Sequence, residues 1–179
     1  LKESGNEASI AILEKAGEIG AHSLSGAIVD PRTLQELFPD FDQKNIPFES
    51  EVTEEHLYYI TKTKKFSFPF IPPPMSHHGC YVTSLGKLTR WLGDKCENEG
   101  IDIFCGFPGT ELLYERDRVI GVRTGDRGID KNGEKKTQYE PGADIHAKVV
   151  ILGEGTRGNL TKKIIQRHDL MNGKNPQVW

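Results

Sequence analysis

The chain has 179 residues, 36% hydrophobic and 27% charged, with 19 Gly, 10 Pro and a formal net charge of −3. With Gly counted, the apolar share falls in the range of about 45–50% usual for globular domains, which argues against disorder, collagen and coiled coil. The near-balance of 23 Lys+Arg against 26 Asp+Glu, with no basic stripe interleaved with aromatics, sets nucleic acid aside as a partner.

Ile10-Ala11-Ile12-Leu13 is a short apolar run that predicts a buried strand of a parallel sheet, whose faces are both covered and need no alternation. The stretch from Gly17 to Gly26, rich in Gly, Ala and Ser, suits a loop pressed close against a neighbour. Pro31 then opens a helix through Leu34, Leu37 and Phe38, with Asp30 as its cap and one apolar face. From Pro39 to Met75 proline breaks and short strands, including Phe66, Phe68 and Phe70 at period two, suggest a second sheet. Tyr81-Val82-Thr83 predicts a strand and Leu85 to Glu99 a helix, with Leu85, Leu88, Leu92 and Cys96 as its stripe and Gly100 as its stop.

Ile101 to Phe104 returns to the sheet. Glu111–Tyr114 and Val119–Val122 outline a hairpin across the charged turn Glu115 to Arg118. Asp126 to Lys136 reads as a solvated loop. Val149-Val150-Ile151-Leu152 predicts a second buried strand, followed by a helix through Leu160, Ile164 and Ile165.

Two places carry cofactor chemistry. Gly153-Glu154-Gly155-Thr156-Arg157-Gly158 satisfies G-x-G-x-x-G between an apolar run and a helix, where glycine lets backbone approach a phosphate and the helix offers free N–H groups. Glu14, at the tip of the first apolar run, is placed as the carboxylate of a dinucleotide fold that accepts hydrogen bonds from ribose hydroxyls. Each also fits a ligand-free reading, as a tight turn and as a surface carboxylate.

Other candidates are weaker. His77 and His78 are adjacent and suit joint metal chelation poorly. His22, Ser25 and Asp30 carry the letters of a hydrolytic triad but crowd into nine positions, whereas triads gather from separate elements. Cys80, Cys96 and Cys105 lie 16 and 9 residues apart, spacings of neither a disulfide framework nor a metal knuckle, and are expected to be small buried apolar groups in a reducing compartment. No apolar run approaches the roughly 18 residues that span a bilayer, so any membrane contact is expected to be monotopic. Neither a catalytic residue nor a metal site is assigned. With Leu1 in place of an initiator Met, the chain is expected to be an internal piece of a longer polypeptide.

Leu13-Glu14-Lys15-Ala16, then Ile19-Gly20-Ala21-His22-Ser23-Leu24-Ser25-Gly26-Ala27, then Leu37-Phe38-Pro39-Asp40, Pro74-Met75 through His78-Gly79, Leu85-Gly86 with Trp91, and Ala147-Lys148 leading into Gly153-Glu154-Gly155 form an ordered series. The series closely resembles the electron-transfer flavoprotein–ubiquinone oxidoreductase family, relatives of FixC-type and geranylgeranyl-reductase flavoproteins, from Ile12 to Leu170. The resemblance implies a membrane-associated dehydrogenase with FAD and a [4Fe–4S] cluster that passes electrons from reduced electron-transfer flavoprotein to ubiquinone. It implies a place on the matrix side of the mitochondrial inner membrane or the cytoplasmic side of a bacterial membrane.

By the same resemblance Glu14 and Lys15 sit at the adenosine ribose, and Gly20, Ala21, Ser25 and Gly26 line the passage to the flavin. Thr110 lies by the adenine through its backbone, and Gly153, Glu154 and Gly155 close over the cofactor. Leu34, Leu37 and Phe38 meet the membrane, and the cluster ligands lie outside the chain. The implied fold is α/β: a Rossmann-like FAD-binding domain of the glutathione-reductase type in segments 1–39 and 77–179, with an inserted strand-rich, quinone-side segment at 40–76. A related reductase of isoprenoid double bonds and a non-catalytic membrane-docking module share parts of this pattern.

Overall fold

Aromatic and β-branched residues at 81–83 run directly into Ser84, a good helix cap, and that junction organises the first half of the molecule. The computed structural model describes residues 8–38, 45–130 and 132–174. It divides into two units, Leu1–Ile12 with Ala16–Ile103 and Leu13–Lys15 with Phe104–Trp179. The elements are β1 (Ala11–Glu14), β2 (Gly26–Val29), α1 (Arg32–Leu37), β3 (Phe48–Glu51), β4 (Tyr58–Ile60), β5 (Lys65–Ser67), β6 (Tyr81–Ser84), α2 (Leu85–Asn98), β7 (Asp102–Cys105), β8 (Gly109–Glu115), β9 (Arg118–Thr124), β10 (Arg127–Ile129), β11 (Lys135–Glu140), β12 (Asp144–His146) and α3 (Asn159–Arg167). The unit boundaries differ from the segments 1–39, 40–76 and 77–179, because β3 pairs with β6 and so joins residues from two of them.

In the first unit, β2 and β3 flank β6 in an antiparallel sheet, with Thr83 facing both Ala27 and Phe48. Thr83 is 1% exposed, and its hydroxyl donates to Pro47 O at 2.7 Å, so the buried oxygen is satisfied. The Ser84 side chain accepts from Lys87 N–H as α2 begins, and Gly100 at φ +77° follows the helix end. Leu88 packs with Leu34 and Ile46 into a small core bordered by Val29, Phe38, Phe48, Trp91 and Leu92. Phe38 meets Trp91 edge to face at 5.3 Å. The β4–β5 hairpin closes at Thr61, whose hydroxyl oxygen accepts from Lys64 N–H at 2.9 Å. β5 ends at Ser67, so of the three alternating phenylalanines Phe66 alone lies in the strand, while Phe68 N–H still donates to Leu57 O.

In the second unit the sheet order is β12-β9-β8, with a two-residue turn at Arg116 and Asp117 joining β8 to β9. α3 lies along β8. Leu160 is buried, Lys163 Nζ donates to Thr110 O at 3.1 Å, and the Arg167 guanidinium sits 3.7 Å over the Tyr114 ring. β1 pairs with β7. Asp102 N–H donates to Ile10 O within the first unit, and Phe107 N–H donates to Glu14 O within the second.

Several expectations need correction. The first strand is not buried through its length: Ile10 and Ile12 are exposed. The cap position of α1 is Pro31, while Asp30 Oδ1 accepts from Arg32 N–H at 3.1 Å and holds the Arg32 guanidinium. The loop expected over 126–136 contains β10 and the start of β11, a hairpin bound by Arg127 to Glu140 and Asp130 to Glu134 contacts. Residues 149–152 form no strand. Val149 is 75% and Ile151 89% exposed, and no strand among the described residues pairs with this run, so its backbone groups have no ladder partner.

Candidate cofactor-binding site

Glu14 is the last residue of β1 and is half-buried, with the exposed Lys15 following it. The expected carboxylate therefore stands at a strand end. Its unit also contains Lys15, Thr110, Gly153, Glu154 and Gly155, whereas Gly20, Ala21, Ser25 and Gly26 belong to the other unit.

The 17–26 loop is held onto α2. Gly20 adopts φ +77°, and a Cβ there would fall 2.6 Å from Gly86 O, so the close approach needs glycine on both grounds. Ser23 N–H donates to Gly20 O at 3.0 Å, Ala21 N–H to Glu18 O at 3.2 Å, and Leu85 N–H to Ser25 O at 3.2 Å. Gly26 opens β2 opposite Ser84. The Gly-Ala-Ser character of this loop thus has a packing cause within its own unit.

Thr110 is exposed at an irregularity in the β8–β9 register. Its hydroxyl donates to Arg123 O and its own carbonyl accepts from Lys163, so that carbonyl is engaged with α3.

The glycine turn behaves differently from the phosphate-cradle expectation. Glu154 Oε1 accepts from Asn159 N–H and Leu160 N–H, both at 3.1 Å, and Oε2 accepts from Thr161 N–H and Thr161 Oγ1, both at 2.7 Å. The first backbone donors of α3, the groups a phosphate would use, are held by the protein's own carboxylate. Partial desolvation raises the Glu154 pKa, but its hydrogen bonds to Thr161, Leu160 and Asn159 outweigh this and leave the carboxyl below its ordinary value. A Cβ at Gly158 would lie 2.7 Å from Glu154 Oε2, so this glycine makes room for the carboxylate. At Gly153, and at Gly155 with φ +69°, an added Cβ meets nothing within 4 Å, so both faces are open to a ligand.

Of the three residues expected at a membrane, Leu34 is 8% exposed and faces the core, and Phe38 packs on Trp91. Leu37, at 64%, is the exposed one. Pro39 and Asp40 lie outside the described residues. No helix among the described residues is long and apolar enough to cross a membrane.

Sequence reasoning did not find the hydrogen-bonded group around the Glu55 carboxylate. Glu55 accepts from His77 N–H, Ser76 Oγ and His77 Nδ1, the last at 2.7 Å, tying two distant segments together. The hydrogen bond from the His77 backbone leads the causes that put the Glu55 carboxyl below its ordinary value. Glu55 also borders a cleft of about 350 Å³ with Leu57, Phe68, Phe70, Ser76 and His78. A second cleft of about 620 Å³ lies by Arg118, Ile120, His146 and Lys148. Neither is lined by a residue of the expected cofactor set.

No protein-family model matches the chain. It is 41% identical over 172 residues to the mitochondrial electron transfer flavoprotein-ubiquinone oxidoreductase of Bos taurus, covering 95% of this chain and 28% of that protein. The Mus musculus protein of the same name is 38% identical over 179 residues, 99% of this chain and 29% of its own length. The Arabidopsis thaliana one is 38% identical over 177 residues, 98% and 28%. The chain thus spans under a third of the length of these relatives.

Among solved structures, Thermovibrio ammonificans THI4 matches at TM-score 0.52 with 15% identity, covering 90% of this chain and 53% of that one. The myxobacterial chondrochloren halogenase CndH, described as a variant of FAD-dependent halogenases, also matches at TM-score 0.52 and 15% identity, covering 86% and 33%. At that identity the likeness concerns the fold, and it is an α/β fold shared with an FAD-dependent enzyme. Along nearly its whole length, this polypeptide is a homologue of the electron transfer flavoprotein–ubiquinone oxidoreductases.

Proposed function

We propose that the chain is the part of a membrane-associated electron-transferring-flavoprotein dehydrogenase that holds FAD, in an enzyme passing electrons from reduced electron-transfer flavoprotein to ubiquinone. The observation that carries this reading is the presence, within one unit, of a strand ending on Glu14 and of a turn whose Gly153 and Gly155 faces are open. The sequence kinship and the fold likeness point the same way.

These residues fit the adenosine side of FAD. The Glu14 carboxylate suits two ribose hydroxyls, Lys15 beside it supplies a cation, and the bare backbone of Gly153 and Gly155 allows close approach. Thr110 is the proposed adenine neighbour, with its N–H as the group to offer. The proposed flavin contacts of the first unit are the backbone of Gly20, Ala21, Ser25 and Gly26. Bound flavin supplies one- and two-electron chemistry, while the residues bind and orient it.

The [4Fe–4S] cluster does not fit this chain. Among the described residues no group of three or more His, Cys, Asp or Glu side chains is arranged to hold a metal, and Cys105 is in a different unit from Cys80 and Cys96. Its ligands are proposed to come from other parts of the whole protein. A membrane contact through α1 is proposed for Leu37, on the matrix face of the mitochondrial inner membrane or the cytoplasmic face of a bacterial one.

Reconstitution tests the FAD reading. The purified chain incubated with FAD and passed through a desalting column is expected to retain near-stoichiometric flavin absorbance. A colourless eluate from folded protein overturns the reading.

A further inference from the structure

The Glu154 carboxylate is turned toward α3, where it takes three backbone N–H groups and the Thr161 hydroxyl, and Gly158 has no side chain at the point that the carboxylate occupies. We propose that Glu154 is a positioning residue: it provides, from within the chain, the anion that the start of α3 would otherwise take from a phosphate, and so fixes the turn that leaves Gly153 and Gly155 open. The proposal rests on the reading of that turn as part of the FAD cradle. It assigns the cofactor contact to the backbone of the two glycines and removes it from the Glu154 side chain.

The physical argument is one of occupancy and charge. A helix start carries roughly half a positive elementary charge on its unpaired N–H groups. Here a full carboxylate already neutralises it with charge-assisted bonds, two of them at 2.7 Å. A diphosphate at the same amides would meet a like charge and would find its donors engaged. The literal G-x-G-x-x-G pattern therefore works here as a self-capped turn. A glutamate five residues before the first capped amide reaches it because Gly155, at φ +69°, turns the chain and Gly158 leaves space.

Removing the carboxylate leaves three amides without an acceptor and a gap of carboxylate size, which a small carboxylate from solution fits. The test uses the full chain, wild type and Glu154→Ala, with flavin fluorescence for FAD affinity and amide chemical shifts for Asn159, Leu160 and Thr161. In the wild type the three amides are expected to titrate together below the ordinary glutamate range. In Glu154→Ala the FAD dissociation constant is expected to rise about tenfold, the scale of a lost helix cap. Sodium acetate, against sodium chloride at equal ionic strength, is expected to restore affinity to about twofold of wild type and to shift the same three amides.

Unchanged FAD affinity in Glu154→Ala overturns the proposal, and so does a loss that acetate does not repair. If Glu154→Ala fails to fold, Glu154→Gln is read instead: it keeps shape but turns an N–H group toward donors, so an FAD affinity equal to wild type overturns the proposal and a weakened one supports it. A wild-type chain that binds no FAD overturns the cradle reading instead. The amide arm then decides the remainder: a joint titration and an acetate response support the internal anion, and their absence removes it.

Discussion

Replacing Gly20 with alanine brings two separable penalties together, and Gly79 supplies the comparison. Both glycines have positive φ, +77° and +79°. At Gly79 an added Cβ meets nothing within 4 Å, whereas at Gly20 it would fall 2.6 Å from Gly86 O and 3.2 Å from Gly86 Cα. Placing an L side chain in the left-handed region costs roughly 1–2 kcal/mol. Forcing apart two backbone segments adds about 1–3 kcal/mol, the range for overpacking. Gly20→Ala is therefore expected to destabilise by about 2–5 kcal/mol and Gly79→Ala by about 1–2 kcal/mol, the difference being the contact with Gly86. Urea unfolding of both variants, followed by circular dichroism with matched slopes, gives that difference directly. Equal losses in the two variants would refute the close approach of the 17–26 loop to α2.

The remaining expectations concern α1 and acid stability. Phe38→Asp is expected to lose about 1–3 kcal/mol, less than a fully buried aromatic, because its half-buried ring packs on Trp91. Leu37→Asp is expected to stay within about 0.5 kcal/mol of wild type and to reduce co-sedimentation with phospholipid vesicles; unaltered sedimentation removes Leu37 as a lipid contact. The carboxyls of Glu55, Asp126 and Asp144 all lie below their ordinary values, owing first to the His77 backbone, the Gly142 backbone and the Arg123 side chain respectively. Their contribution is therefore complete above the unfolded-state pKa values and fades as pH falls through the folded-state values. Urea midpoints are expected to drop on acidification through that window, and Glu55→Gln to make the drop shallower. A midpoint that rises on acidification contradicts the sign.

Local chemistry made some elements readable from the sequence. The apolar stripe from Leu85 and the stop at Gly100 mark the extent of α2, because spacing and stop are local properties, while the Ser84 cap came from the structure. The end of β1 at Glu14 and the turn at Arg116 and Asp117 follow in the same way. What depends on a distant partner was not readable. Residues 149–152 have the composition of a strand but pair with no strand among the described residues. Leu34 and Phe38 have the spacing of a lipid-facing helix, yet periodicity cannot say whether lipid or Leu88 and Trp91 cover it. Of the candidate site, Glu14 stands at a strand end as its apolar run suggested, whereas the glycine turn leads into α3 without the strand expected before it. The role of Glu154 was hidden, because its hydrogen bonds reach five to seven residues along the chain and need a turn geometry that no residue type announces.

The proposed grip of Glu14 on the adenosine ribose is tested most directly by an FAD titration of wild-type and Glu14→Ala chains, read by flavin fluorescence. Two hydrogen bonds to a carboxylate carry enough energy for the variant to bind at least about tenfold more weakly while keeping its fold. Equal affinity in the two proteins would contradict the account.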